Sequence, residues 1–134
     1  CDLYKIKDFD EKYTSTVKNR IANIKPQDYT RMGAAIRHLS KLLSQVEAKT
    51  KVLITLSDGR PDDQDGYRGA YGIEDTRRAL IESKFLGIHP FCITIDDEAM
   101  DYLQHMYGPV NFTIVDQVDK LPYKVSDIYR RITM

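Results

Sequence analysis

The stretch that decides the fold is Lys51-Val-Leu-Ile-Thr-Leu-Ser57, which is followed at once by Asp58-Gly59. It consists largely of β-branched residues and leucine and is too short for a helix, so it predicts a β-strand with both faces covered. Strands that are buried on both faces are usually parallel to their neighbours. The stretch therefore predicts a parallel sheet within an α/β domain.

The rest of the chain extends this prediction. Two further apolar runs, Pro90–Ile95 and Asn111–Val115, have the same character and predict two more strands. Apolar residues between the runs recur at helical spacing. The predicted helices are Met32–Val46, Glu74–Leu86, Asp97–Tyr107 and a C-terminal helix from about Pro122. Alternating strands and helices favour an open sheet with helices on both faces.

The N-terminal part gives weaker patterns. Residues Leu3 to Lys7 alternate like a half-exposed edge strand. Apolar residues further on predict a short helix: Tyr13, Val17, Ile21 and Ile24.

Composition and charge exclude several classes of protein. The chain has 134 residues, 20 Lys+Arg, 20 Asp+Glu and 42% hydrophobic residues, which predicts one domain over residues 1–134. This balance excludes a disordered chain and argues against nucleic-acid binding. No apolar run is long enough for a membrane helix. The cysteine within the second strand predicts a buried thiol, and we expect a cytoplasmic protein. Because the chain begins with Cys, we expect it to be a piece of a longer one.

The first candidate site lies where the strand 51–57 ends. In open α/β sheets, ligands bind beyond the carboxyl ends of the strands. Asp58 at such an end, next to Gly59, fits a hard cation that prefers oxygen ligands. The alternative is that Asp58-Gly59 forms a turn in a solvated loop that binds nothing.

The second candidate residue is Thr30, just before the strongest helical pattern. Its hydroxyl is predicted either to bind a cation or, as Asp28 also would, to cap the helix. Gly33 in the first turn costs about 1 kcal/mol relative to alanine, so it predicts the close approach of another backbone.

Enzyme signatures are few. The chain has no nucleophile elbow, no phosphate-binding loop, no dinucleotide fingerprint and no histidine pair at metal-ligand spacing. One catalytic alternative is a Mg²⁺-dependent phosphohydrolase or phospho-receiver domain that uses Asp58. Against this alternative, the sequence lacks the second strand-end carboxylate and the lysine that such sites use.

Four stretches carry a family resemblance: Asp28–His38, Asp58–Asp63, Tyr71–Ala79 and Tyr129–Thr133. With them the chain resembles the second half of a von Willebrand factor A domain, which has a Rossmann-like open sheet. More narrowly, it is similar to the C-terminal domain of the nitric oxide reductase activation proteins, which are related to the rubisco activation proteins.

This resemblance implies a metal-ion-dependent adhesion site. In that family three loops converge on Mg²⁺: an Asp-x-Ser-x-Ser motif, a threonine and an aspartate. Thr30 and Asp58 match the second and third, whereas the first motif has no counterpart in this sequence. We therefore expect a partial domain that lacks the first strands and holds an incomplete site. The unpaired edge of strand 51–57 would then favour self-association.

The resemblance also implies a function. Such a domain is a non-catalytic interaction module whose metal is bridged by a carboxylate from a partner protein. The expected partners are a MoxR-type AAA+ ATPase and a metalloenzyme that the two activate or assemble. From placement alone, the residues predicted to face the partner are Gly59, Asp62, Asp65, Tyr67 and Arg68.

Overall fold

The computed structural model describes residues 3–26, 31–57, 61, 66–95, 100–108 and 112–133. Its sheet has three strands in the order β1-β2-β3, which are Lys51–Ser57, Ile88–Thr94 and Phe112–Ile114. The α-helices α1 to α5 are Ser15–Ala22, Met32–Ser44, Gly69–Phe85, Met100–Tyr107 and Leu121–Thr133. A 3-10 turn, Val118–Lys120, leads into α5.

All three strands run in the same direction, as predicted. Lys51 lies opposite Ile88 and Ser57 lies opposite Thr94, so β1 and β2 are aligned over their whole length. Thr94 in turn lies opposite Ile114 of β3. The carboxyl ends of the strands therefore meet at one edge of the sheet.

Helices cover both faces of the sheet, which confirms the predicted open α/β architecture. On one face, α2, α3 and α4 share a core with β1 and β2, and its most buried members include Ile36, Leu80, Cys92 and Leu103. On the other face, α5 packs through Ile128 on Phe91, Ile93 and Val115. Each fully buried side chain of this size contributes about 1.5–3 kcal/mol, so the two cores hold the sheet between its helices.

Helix α3 begins at Gly69 rather than at the predicted Glu74. The pattern missed its first turn because two glycines there resemble a loop. Gly72 is buried against Pro61, and a side chain on Gly72 would come within 2.9 Å of the Pro61 carbonyl oxygen. Tertiary packing thus outweighs the low helix propensity of glycine. The predicted start of α4, Asp97, lies outside the described residues.

The N-terminal segment departs from its prediction. Leu3 to Lys7 forms no strand and instead lies beside α2 and β1, where it helps to line a cleft of about 560 Å³. The burial of this segment does not alternate as that of an edge strand would, since the adjacent Leu3 and Tyr4 are both exposed, at 49% and 66%. The short helix predicted next is confirmed as α1, and its Val17 is buried.

Strand β1 is more exposed to solvent than its sequence predicts. Within the described part of the chain it stands at one edge of the sheet, paired only with β2. Its Leu56 is 61% exposed, whereas the segment Pro90–Thr94 of β2 is buried throughout. Self-association along this edge stays a prediction.

Candidate metal-binding and interaction site

The residues predicted for the site are only partly described. Thr30, Asp58, Gly59, Asp62 and Asp65 lie outside the described residues, so their roles stay predictions. The structure does describe their chain neighbours and two members of the predicted rim. These neighbours and rim residues are Arg31, Ser57, Pro61, Tyr67 and Arg68.

The described residues next to the two predicted ligands, at the end of β1 and the start of α2, lie at the same edge of the sheet. Helix α3 connects the end of β1 to the start of β2, and these two strands are parallel. The start of α3 is therefore at the carboxyl edge of the sheet. Helix α2 runs in the same direction as α3, since contacts between the two advance from Gly33 beside Asp75 to Ser40 beside Ser83. The start of α2, directly after Thr30, is therefore at the carboxyl edge as well.

A tyrosine hydroxyl joins these two segments. The backbone N–H of Gly33, in the first turn of α2, donates to the hydroxyl of Tyr67 at 3.0 Å. The hydroxyl donates in turn to a carboxylate oxygen of Asp75 at 2.6 Å. Tyr67 follows the loop after β1 in the sequence, and this pair of hydrogen bonds ties Tyr67 to the start of α2 and to α3.

This arrangement supplies a partner for one N–H group at the start of α2. The N-cap position of α2 is Arg31, whose side chain makes no capping hydrogen bond. The capping role predicted for Asp28 or Thr30 lies outside the described residues. The first N–H groups of a helix have no partner within it, and Tyr67 satisfies that of Gly33 from a distant part of the chain.

Gly33 is needed because its surroundings leave no room for a side chain. A Cβ atom there would lie 2.9 Å from the Tyr67 hydroxyl and nearer still to the carboxylate of Asp75. The sequence predicted the close approach of a backbone, but the structure places two side chains against this glycine. The glycine is thus part of the junction between the two segments.

Asp75 is held by a second partner. Its other carboxylate oxygen accepts from Arg37 at 2.8 Å, and Arg37 also donates to Glu82 at 2.9 Å. Burial alone would raise the pKa of Asp75, but the hydrogen bonds from Tyr67 and Arg37 outweigh it and lower the pKa. For Tyr67, burial and the carboxylate of Asp75 raise the pKa. Asp75 is thus ionised and Tyr67 is protonated at neutral pH.

This pattern predicts a pH dependence for Asp75→Asn. Because the pKa of Asp75 is lowered in the folded state, its carboxylate stabilises the fold at pH values above 3.8, its ordinary pKa. This contribution is lost as the pH falls below 3.8 and through the lowered pKa. The variant should be less stable than wild type by about 1 kcal/mol at pH 6, because a charge-assisted hydrogen bond is lost from a partly exposed site. Urea titrations from pH 6 to pH 3 check this. Equal stability differences at both ends would contradict it.

Aromatic and basic side chains surround Tyr67. The Arg31 guanidinium lies 4.9 Å from the centre of its ring, and the Tyr71 ring meets it edge-on at 5.1 Å. Tyr67 is only 1% exposed, which does not agree with the partner-facing position expected for it. Arg68 is exposed, and Tyr71, which the sequence did not single out for the rim, is 60% exposed.

Other candidate groups lie elsewhere. Among the described residues, no group of three or more His, Cys, Asp or Glu side chains is placed to hold a metal ion. His105 contacts Glu74 on the surface between α4 and α3. Cys92 is fully buried, which raises its pKa and confirms the predicted packing role. The phosphohydrolase alternative depends on Asp58, so it too lies outside the described residues.

The open parallel sheet, with helices on both faces, defines the chain as an α/β domain. The sequence profile of the von Willebrand factor type A domain matches residues 3–128, and the chain belongs to this family.

Relatives refine this assignment. The chain is 42% identical over 127 residues to Protein NorD of Brucella abortus, and 44% identical over 115 residues to Protein NorD of Stutzerimonas stutzeri. These alignments cover 95% and 86% of the chain, but only 20% and 19% of those relatives. It is also 49% identical over 127 residues to an uncharacterized protein of Pseudomonas aeruginosa, covering 95% of the chain and 21% of that protein.

The chain therefore spans about a fifth of the length of the curated relatives it matches. No solved structure gives a significant match. Among the described residues, no helix has the length and apolarity needed to cross a membrane.

Proposed function

We propose that this chain is a non-catalytic interaction module that binds a partner protein through a divalent cation at the carboxyl edge of its sheet. Mg²⁺ is the proposed cation, because the predicted donors, the Thr30 hydroxyl and the Asp58 carboxylate, are hard oxygen ligands. A carboxylate of the partner would complete the coordination and so bridge the two proteins.

The observation that carries this proposal is the hydrogen bond from the Gly33 N–H to the Tyr67 hydroxyl at 3.0 Å. It joins the start of α2, which follows Thr30 in the sequence, to Tyr67, which lies nine residues after Asp58. The parallel course of α2 and α3 supports the same placement. Asp75 is not among the predicted ligands, and its two carboxylate oxygens accept hydrogen bonds from Tyr67 and Arg37.

The biological role is proposed from the relatives. Two of them carry the name NorD, and the sequence resembles nitric oxide reductase activation proteins. We propose that the chain acts in the cytoplasm, where it contributes to the activation or assembly of a metalloenzyme. Its proposed co-partner is a MoxR-type AAA+ ATPase. The exposed rim, including Arg68, would face these proteins.

Calorimetric titration of Mg²⁺ and Mn²⁺ tests the metal site. We expect weak uptake by this chain, because one hydroxyl and one carboxylate are a poor cage for an octahedral ion. An N-terminally extended version that supplies further oxygen ligands should bind one ion per domain. Binding to a MoxR-type ATPase, followed by surface plasmon resonance, should then be lost in EDTA. If the longer version takes up no divalent ion, the metal-bridged mechanism is wrong.

A further inference from the structure

A cleft of about 540 Å³ lies between α5 and the strands β2 and β3. Its volume is within the range of about 300–1,000 Å³ that is typical of binding pockets. In the described part of the chain, no residue of α2 or of the segment after β1 lines this cleft. The cleft is therefore built from other residues than the proposed cation site.

The floor of the cleft is apolar. Phe91 of β2 and Ile128 of α5 line it, and both belong to the core on this face of the sheet. Phe112 of β3 lines it as well and is half-buried. An apolar side chain that entered the cleft would leave water and contact these residues, which is favourable in proportion to the area it buries.

The rim of the cleft is basic. Lys124, Arg130 and Arg131 line it and are exposed, and Asp127 is the one acidic residue among its described lining residues. Asp127 lies three or four residues from each of them, a spacing at which helical side chains can pair. Nevertheless, within the described residues none of the three basic side chains forms an ion pair. The rim thus presents three positive charges against one negative charge.

Helix stability does not account for this pattern. Basic residues in the last turn of a helix offset its macrodipole, which explains Arg130 and Arg131. Lys124 lies near the start of the same helix, where a positive charge is unfavourable, and the first turn of α5 as described contains no acidic residue. The positive charge along the whole cleft therefore fits a ligand better than it fits the helix.

We propose that the cleft beside α5 binds an acidic segment of a partner protein, with one apolar side chain of that segment on the floor and its carboxylates on the basic rim. Charge complementarity selects the acidic residues, and the apolar floor selects the anchor. Helix α5 also exposes Tyr123 and Tyr129, at 75% and 58%, and tyrosine and arginine are enriched in protein interfaces. This contact needs no metal ion, so it is a second surface beyond the proposed function.

The test uses a fluorescein-labelled peptide with one phenylalanine between two runs of aspartate and glutamate, and fluorescence anisotropy measures its binding. Arg131→Glu should weaken binding about tenfold, which corresponds to about 1.4 kcal/mol, because a like charge then faces the acidic probe. Lys124→Glu, at the other end of the cleft, should act in the same direction and provides a second variant if the first does not fold.

Arg78→Glu is the matched control. Arg78 is exposed on α3, which packs on the opposite face of the sheet from α5, so this variant makes the same change of charge away from the cleft. It should weaken binding less than about twofold through long-range attraction alone. If Arg78→Glu and Arg131→Glu weaken binding equally, the peptide has no defined site and the proposal is wrong.

The floor is tested by changing the peptide, because Phe91 and Ile128 also support the core. A peptide with serine in place of phenylalanine should bind at least about tenfold more weakly. Equal binding of the two peptides would show that no apolar anchor is used and would overturn the proposal. A single-stranded DNA oligonucleotide that binds as tightly as the peptide would also overturn it, because the cleft would then be a general surface for polyanions.

EDTA separates this proposal from the proposed function. Peptide binding should be the same with and without EDTA, both for this chain and for its N-terminally extended version. Loss of peptide binding in EDTA would mean that the peptide contacts a cation, and absence of binding by the extended version would mean that other parts of the protein cover the cleft. Either result would overturn the proposal. A failure to bind Mg²⁺ would refute only the proposed metal site, whereas a failure to bind the peptide would refute only the proposal for this cleft.

Discussion

Gly33→Ala should destabilise the protein by about 2 kcal/mol, although alanine is the better helix former. The new Cβ would lie 2.9 Å from the Tyr67 hydroxyl and closer still to the Asp75 carboxylate. Neither group can move aside without loss, because both are engaged in hydrogen bonds at 2.6 to 3.0 Å. Chemical denaturation, followed by circular dichroism, measures the effect.

The estimate combines three contributions. Overpacking in a close-fitted site costs about 1–3 kcal/mol. Loss of the hydrogen bond from the Gly33 N–H adds about 1 kcal/mol. The higher helix propensity of alanine offsets about 1 kcal/mol of this loss in stability. The clash therefore outweighs the propensity, and the net effect is unfavourable.

A double-mutant cycle with Asp75→Ala provides the control. Removing that carboxylate removes the nearest obstacle to a Cβ at position 33. In this background the cost of Gly33→Ala should fall by at least about 1 kcal/mol, because residues in contact are not additive. If the cost is the same in both backgrounds, the clash with Asp75 is not its cause.

The second large effect concerns the predicted ligands. Thr30→Ala and Asp58→Ala should each weaken Mg²⁺ binding at least about hundredfold, which corresponds to about 2.7 kcal/mol. Removing one oxygen ligand leaves a small, strongly hydrated ion with too few protein donors to replace its water. Calorimetry on the N-terminally extended version measures the loss.

Asp62→Asn is the matched control for these two variants. It removes a negative charge from the same loop without removing a predicted ligand, so the affinity for Mg²⁺ should change less than about threefold through long-range attraction alone. Asp62 was placed at the partner-facing rim, and the variant should weaken partner binding instead. A loss of Mg²⁺ binding in Asp62→Asn as large as that in Asp58→Ala would contradict the assignment of Asp58 as the ligand.

The sheet and its helices were predictable because the sequence patterns that indicate them lie within each element. The run Lys51–Ser57 is bounded as the sequence indicated, and α2 begins at the predicted Met32. Buried parallel strands are continuous apolar runs, and an amphipathic helix repeats its apolar face every turn. The segment Leu3 to Lys7 misled the prediction, because alternation over a few exposed residues also arises where no strand forms.

The junction around Tyr67 was not predictable in the same way. Its partners are 34 residues away at Gly33 and 8 residues away at Asp75, and no local pattern connects the three. The unneeded glycine at position 33 was the one available signal, and it pointed to a close contact without naming the neighbour. Tyr67 was assigned to the rim because loops are usually exposed. Its burial follows from tertiary contacts with Arg31 and Tyr71.

The central claim is that the start of α2 and the loop after β1 share one cation. Titrating Mn²⁺ into the isotopically labelled, N-terminally extended protein and recording amide NMR signals tests it most directly. The amides of Arg31, Gly33 and Tyr67 should broaden more strongly than those of Ser40 and Ser83, and Thr30→Ala should abolish the difference. Equal broadening along both helices, or a maximum at the opposite edge of the sheet, would contradict the claim.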